Sequence, residues 1–270
     1  MKPLRGRALV GVPLVALFAL LAVAGPWLAP FAPGAIDLAH EMESPSWRHL
    51  LGTGDNGVDV LSVALHGARL AGSVSLATVA ISLLAGAVLG GGAAFAGGRV
   101  GALVARLTDA AQSFPSILVN MAVLALVARP GVWHLVAALS VTGWVGYARV
   151  ARAEVLRLRE REFVTAARCL GASPARVFFR HVLPNATGPL VVQATFGLGA
   201  TVLAEASLSF LGLGPGASAS WGALLDQGTA HLLRTPRLAM LAGALIAATV
   251  LGFNLTGDWL RDRLDPRAEG

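Results

Sequence analysis

The sequence predicts an all-α, polytopic membrane protein of about six spanning helices, and three observations lead there. Of its 270 residues, 55% are hydrophobic and 13% charged, with a mean hydropathy of +0.68, whereas ordinary soluble domains carry about a quarter charged residues. Six apolar stretches, at about 8–28, 70–96, 103–127, 132–150, 186–211 and 238–258, can each cross ~30 Å of hydrocarbon as a helix. Backbone groups in lipid must be satisfied within their own segment, which makes these stretches helical. Lys and Arg divide unevenly between the connecting segments. If the N-terminus is cytoplasmic, segments 1–7, 97–107, 149–180 and 259–270 hold sixteen of them, and the opposite side holds only Arg48, Arg69, Arg129, Arg234 and Arg237. Positive charge is retained inside, so both termini are expected in the cytoplasm.

Taken in order, Lys2, Arg5 and Arg7 precede an apolar run ending Ala22-Val23-Ala24, which imitates a secretory signal. The run is about 17 residues, longer than the usual 7–15 of such signals, so it reads as a retained first span. The connection at about 29–69 carries Asp37, Glu41, Glu43, Asp55 and Asp59 among prolines and glycines, and is expected to be an ordered outer loop or short surface helix. In the second span, Gly86 to Ala94 place small residues at four-residue spacing. Such residues let helix backbones approach closely, within the chain or against a partner subunit. No internal repeat is evident. The chain reads as one domain, with a first helix and extracytoplasmic segment over 1–69, a core over 70–260 and a tail over 261–270.

Between the fourth and fifth spans lies a polar insert at about 152–184, and eight arginines, from Arg149 to Arg180, lie in and beside it. From Arg152 to Leu170 there is no Gly or Pro, and Leu156, Phe163, Ala166, Ala167 and Leu170 recur at helical intervals, predicting one helix with an apolar stripe. Gly171 supplies a helix stop, and Ser173-Pro174 a cap and a first-turn proline that restart the chain as a short helix reaching Leu183-Pro184. Spacing alone leaves two readings: a knob offered to a soluble partner, or an amphipathic hairpin on the lipid surface.

Several function classes are disfavoured. The net charge of +6 comes from arginines at the ends of apolar runs, with no basic face interleaved with aromatics, so nucleic acid is not an expected partner. The six histidines show no HExxH spacing, Cys169 is the one cysteine, and no G-x-S-x-G elbow is present. No metal site is expected, and an intramembrane enzyme remains only as an alternative of a different class.

The stretch from Glu162 to Ser173, continuing through Arg180-His181-Val182-Leu183-Pro184-Asn185, resembles the EAA loop of ABC importer permeases, above all the second permease of dipeptide, oligopeptide and nickel transporters. The similarity runs in order over about 50–267. It includes Leu51-Gly52-Thr53-Gly54-Asp55, Asp59-Val60-Leu61-Ser62, Phe114-Pro115-Ser116, Thr142-Gly143-Trp144, Ala204 to Gly214, Ser220-Trp221-Gly222, and Leu264-Asp265-Pro266-Arg267. The resemblance implies the type I ABC importer fold, with the insert as a coupling helix. Glu162, Thr165, Ala166, Ala167, Gly171, Ala172, Leu183 and Pro184 would then face an ATPase. Partners implied are a homologous second permease, two cytoplasmic ATPase subunits or domains that bind the ATP and Mg, an extracytoplasmic substrate-binding protein and the bilayer of the bacterial inner membrane. A P-loop needs a lysine, and the only one here is Lys2, so this chain is not its own ATPase and needs no cofactor of its own. Two positions depart from the pattern: Thr165 replaces the glutamate that opens the EAA triplet, and Val58 stands where arginine is usual. By the same resemblance the fifth span borders the translocation path, making Glu205, Ser207 and Ser209 candidate contacts. The alternative for Glu205, and for Asp109 and Gln112, is a structural role. Peptides are the default cargo; nickel chelates, glutathione-like compounds and oligosaccharides are the alternatives.

Overall fold

The computed structural model describes residues 2–215 and 220–264. The 265–270 part of the tail, with Asp265-Pro266-Arg267, lies outside the described residues. Among those described, the chain is helical, with one isolated bridge between Thr53 and Asp59 and no strand. The helices are α1 (Lys2–Leu28), α2 (Val60–Gly86), α3 (Gly92–Ala96), α4 (Gly98–Gln112), α5 (Ser116–Ala125), α6 (Val132–Leu158), α7 (Glu162–Cys169), α8 (Pro174–Val177), α9 (Thr187–Phe210), α10 (Trp221–Ala230) and α11 (Pro236–Leu264). A π turn, Ala87–Gly91, joins α2 to α3 into one 37-residue rod. A second π turn, Phe178–Val182, and a 3-10 turn, Leu183–Ala186, make another 37-residue rod of α8 and α9.

Among the described residues, four helices are long and apolar enough to cross a bilayer: Gly6–Leu28, Val60–Ala96, Pro174–Phe210 and Pro236–Leu264. Leu9, Leu84 and Met240 on three of them are exposed, as befits helices whose outer solvent is lipid or another subunit. The expected third span, 103–127, is not one helix. Pro115 lacks the N–H for a helical bond and turns the residue before it out of the helical region, so the stretch breaks into α4 and α5 around Ser113-Phe114-Pro115. The expected fourth span forms the first two-thirds of α6, which runs on into the insert as far as Leu158. The second span likewise begins ten residues early, at Val60.

The small residues of the second span are used within the chain. A Cβ on Gly86 would lie 2.6 Å from the Trp144 carbonyl oxygen, and one on Gly90 would lie 2.4 Å from that of Ala148, so α2 and α6 meet backbone to backbone. Helix α1 packs on α2 and α11, with Phe18 edge-on to Trp221 and Phe253 at 5.9 and 5.6 Å. The Trp221 Nε1 donates to the Ala64 carbonyl at 2.8 Å, tying the short helix α10 to α2.

The segment before α2 is an ordered loop with two 3-10 turns, Leu38–His40 and Asp55–Gly57. Asp59 caps α2: its buried carboxylate accepts from the Ser62 backbone N–H and Oγ, both at 2.8 Å, and from His49 Nδ1 at 2.9 Å. His49 stacks on Phe31 at 4.9 Å. Arg237 at the start of α11 donates to the Thr53 carbonyl at 3.0 Å and to that of Glu43. Nearer the surface, the hydrogen bond from His40 Nδ1, 2.9 Å away, holds the Asp37 carboxyl below the usual carboxylate value. Val58, in place of the usual arginine, is buried in an apolar cluster with Val60, Val63, Leu224 and Leu238. Asp59→Ala is expected to lower stability by about 2 kcal/mol, through loss of the cap and of a buried acceptor serving three donors. A thermal melt in detergent measures this, and an unchanged midpoint would refute the anchoring role.

Candidate functional site

The insert folds into two short helices that leave the end of α6. The expected unbroken helix from Arg152 to Leu170 is interrupted at Arg159, Glu160 and Arg161, after which α7 starts in a new phase. Its buried side chains are therefore Val164 and Ala167, which join Val155, Leu158, Val177, Phe178 and Val182 in one core cluster. Of the expected stripe only Ala167 is buried. Phe163, Ala166 and Leu170 face outward, Leu170 at 89% exposure.

The turn after α7 is a Schellman closure. The Gly171 N–H donates to the Arg168 carbonyl at 2.9 Å and the Ala172 N–H to that of Ala167 at 3.1 Å, with Gly171 at φ +79°. Ser173 then caps α8, its Oγ accepting from the Arg176 N–H at 3.4 Å, with Pro174 in the first turn. Arginines fasten the region to the neighbouring helices. Arg152 donates to the Gly101 carbonyl at 3.0 Å, Arg159 to that of Ala94 at 3.1 Å, and the Arg168 guanidinium lies 5.4 Å over the Phe95 ring. Between this knob and α3 runs a groove of about 440 Å³, lined by Phe95, Arg168, Ala172, Pro174 and Phe178.

The predicted coupling residues thus fall into two groups. Glu162, Thr165, Ala166 and Gly171 are exposed on the knob with Ala172 half-buried beside them, while Ala167 is turned into the core. Leu183 and Pro184 lie one helix further on, in the 3-10 turn leading to α9, with Leu183 packed against the core and Pro184 exposed. Glu160 and Glu162 are both exposed near Thr165 and supply carboxylates to that surface; Glu160 also pairs with Arg159 at 2.9 Å.

Residues 82–270 match the family described as "Binding-protein-dependent transport system inner membrane component". The chain belongs to that family. It is accordingly a membrane permease subunit of a transport system, not an enzyme. The permease is 35% identical over 262 residues to the oligopeptide transport system permease protein OppC of Bacillus subtilis (strain 168), covering 96% of this chain and 85% of that one. It is 39% identical over 267 residues to the di/tripeptide transport system permease protein DppC of Pseudomonas aeruginosa (strain UCBPP-PA14), covering 96% and 88%. To the probable D,D-dipeptide transport system permease protein DdpC of Escherichia coli (strain K12) it is 37% identical over 258 residues, covering 95% and 86%.

Of the three candidate path residues, Glu205 and Ser209 are buried together. A Glu205 oxygen accepts from Ser209 Oγ at 2.7 Å and from Ser220 Oγ at 3.0 Å, and Ser220 in turn caps α10. This arrangement locks α9 to α10 and fits the structural alternative. Ser207 is half-buried, donating to the Leu203 carbonyl within its own helix at 2.7 Å. Asp109 and Gln112 both accept from Arg149, Asp109 at 3.2 Å, linking α4 to α6 on an exposed face. The permease also holds a cavity between α2, α5, α6 and α9, where Ser, Thr, Asn, Gln and Tyr side chains that were not candidate site residues converge among Val79, Leu139, Ala200 and Ala204. Hydroxyl residues are ordinary in spanning helices, so only their convergence marks them, and the sequence carries no signal of that. Among the described residues no group of three His, Cys, Asp or Glu could hold a metal ion.

Proposed function

We propose that this permease forms part of the membrane path of a peptide importer, paired with a homologous second permease. Two cytoplasmic ATPase subunits or domains, which carry the ATP and Mg, drive it, and an extracytoplasmic binding protein delivers the cargo. Its termini lie in the cytoplasm, on the side of the arginine-rich knob, a placement that the distribution of Lys and Arg supports. The observation that carries the reading is the knob itself. A two-helix projection, stiffened by the Gly171 turn and rooted in the core by Val164 and Ala167, offers an apolar face of Phe163, Ala166 and Leu170 with Glu162 beside it. An exposed apolar face ringed by charge on a rigid support suits docking into a groove of a soluble partner. Peptide cargo is supported by the names of relatives at 35–39% identity over nearly the whole chain.

The deciding experiment is co-purification from detergent-solubilised membranes. Ala166→Arg with Leu170→Glu is expected to reduce recovery of the ATPase at least tenfold, leaving the second permease bound and the amount of permease in the membrane unchanged. Full recovery of the ATPase with that variant would sink the assignment of the knob.

A further inference from the structure

The cavity between α2, α5, α6 and α9 has a volume of about 240 Å³. It is enough for about eight waters at ~30 Å³ each. Thr78 and Ser82 enter it from the middle of the first 37-residue rod, and Gln193 from the middle of the second; Asn120, Thr142 and Tyr147 complete the ring. No lining residue is charged. One flank is open, where Ser116 and Ala200 are exposed.

What sets this cavity apart is the gathering of three unpaired hydroxyls around one space. Several buried hydroxyls elsewhere in the helices give their proton to a carbonyl one turn back, as Thr108 does to Ala105, Thr249 to Leu245 and Ser75 to Gly72, and Ser140 Oγ and Thr256 Oγ1, which also lack a partner, line no part of it. Thr78 Oγ1, Ser82 Oγ and the Tyr147 hydroxyl, on residues 3%, 1% and 4% exposed, have no hydrogen-bond partner. Buried polar atoms are nearly always paired, and three orphans around one space point to an occupant that pairs with them. Tyr147 is the only tyrosine in the chain. The neighbouring backbone leaves room for its hydroxyl, since a Cβ on Gly197 would lie 2.0 Å from it. A Cβ on Gly143 would likewise lie 2.6 Å from Ser82 Oγ.

We propose that this cavity is a solute subsite for an uncharged group that both donates and accepts hydrogen bonds, the backbone amide of a passing peptide, with Tyr147, Thr78 and Ser82 as its selecting residues. The proposal rests on the peptide-importer reading and adds to it a place and a chemistry. The lack of charge excludes the peptide termini from this subsite, because an ammonium or carboxylate would sit there without a counter-ion. An amide N–H has the Tyr147 oxygen to donate to, and an amide carbonyl has the Thr78 and Ser82 hydroxyls to accept from.

The test uses the complete transporter in proteoliposomes with two labelled probes, alanyl-alanine and its ester-linked analogue, in which oxygen replaces the amide N–H. Wild type should carry the amide faster than the ester. Tyr147→Phe should slow the amide about tenfold, roughly the worth of one well-placed hydrogen bond, and slow the ester less than twofold, so that the preference collapses. Thr78→Val, which keeps the shape and removes a donor, should slow both probes, since both retain the carbonyl. Equal slowing of both probes by Tyr147→Phe, or no change, would mean a cavity holding structural water only and would overturn the proposal. If wild type hydrolysed ATP but carried neither probe, the peptide reading itself would fall and the amide subsite with it; for Tyr147→Phe, selective loss of the amide is the only supporting result. As a check independent of rates, Ala200→Cys should react with a membrane-impermeant thiol reagent, and a residue there closed to water would also overturn it.

Discussion

Gly171→Val is expected to reduce uptake by the assembled transporter more than tenfold while the protein still inserts, packs and binds its second permease. Gly171 sits at φ +79° with nothing within 4 Å of where a Cβ would be, so the cost is one of backbone conformation alone. An L-residue in the left-handed region costs about 1–2 kcal/mol and a β-branched one more, and ~2 kcal/mol is a roughly 30-fold shift between turn geometries. The chain would relieve it by giving up the two closing hydrogen bonds, from Gly171 to Arg168 and from Ala172 to Ala167, which set the angle between α7 and α8. Gly171→Asn, which tolerates that region, should retain most activity. The comparison is made by transport rate and ATP hydrolysis in proteoliposomes, with helix content by circular dichroism as the control. Normal transport by the valine variant would remove the role assigned to the turn.

Gly90→Val should produce the largest loss of stability. Its Cβ would lie 2.4 Å from the Ala148 carbonyl oxygen and 2.5 Å from the Ala148 Cα, both backbone atoms in the middle of α6 that no rotamer change can move. Relief requires the two helices to part, at an expected cost of about 3 kcal/mol or more. The melting midpoint in detergent is expected to fall by about 5–10 °C. Gly243→Ala is the matched control, because nothing lies within 4 Å of that position, and it should melt at or slightly above wild type. Identical midpoints for the two variants would mean that the α2–α6 contact does not hold the bundle together.

The positions of the long helices were legible because hydrocarbon thickness imposes a length and a composition that short-range sequence can display. Where the rule failed, the failures have causes. Pro115 was visible in a motif, yet the mean hydropathy of 103–127 conceals a break that one residue makes. The break at Arg159, Glu160 and Arg161 contains no Gly or Pro, and an uninterrupted helical pattern from Arg152 to Leu170 carries no mark of the change in phase. The Gly171 turn and the Ser173-Pro174 start were readable because each requires a residue of special backbone chemistry. Glu205 was noticed for its cost in lipid, but its partner Ser220 lies on the next helix, beyond any local pattern. The cavity hydroxyls were the least legible, since what distinguishes them is a missing bond.

The two π turns bear on how the chain can vary. Ala87–Gly91 and Phe178–Val182 each hold one residue more than an α-helix would use over the same path, and they sit side by side, with the Phe178 ring 3.5 Å from where a Gly91 Cβ would be. Removing one residue from either turn would restore an ordinary helix, yet rotate everything beyond it by about 100°. In the first rod that would turn Phe95 away from Phe178 and Arg168, and carry the Ala94 carbonyl off Arg159. In the second it would turn α7 and the knob relative to α9. Lineages of this protein should therefore accept substitutions at these two turns far more readily than a change in length, and a shortening in one should survive only with a compensating shift in the other.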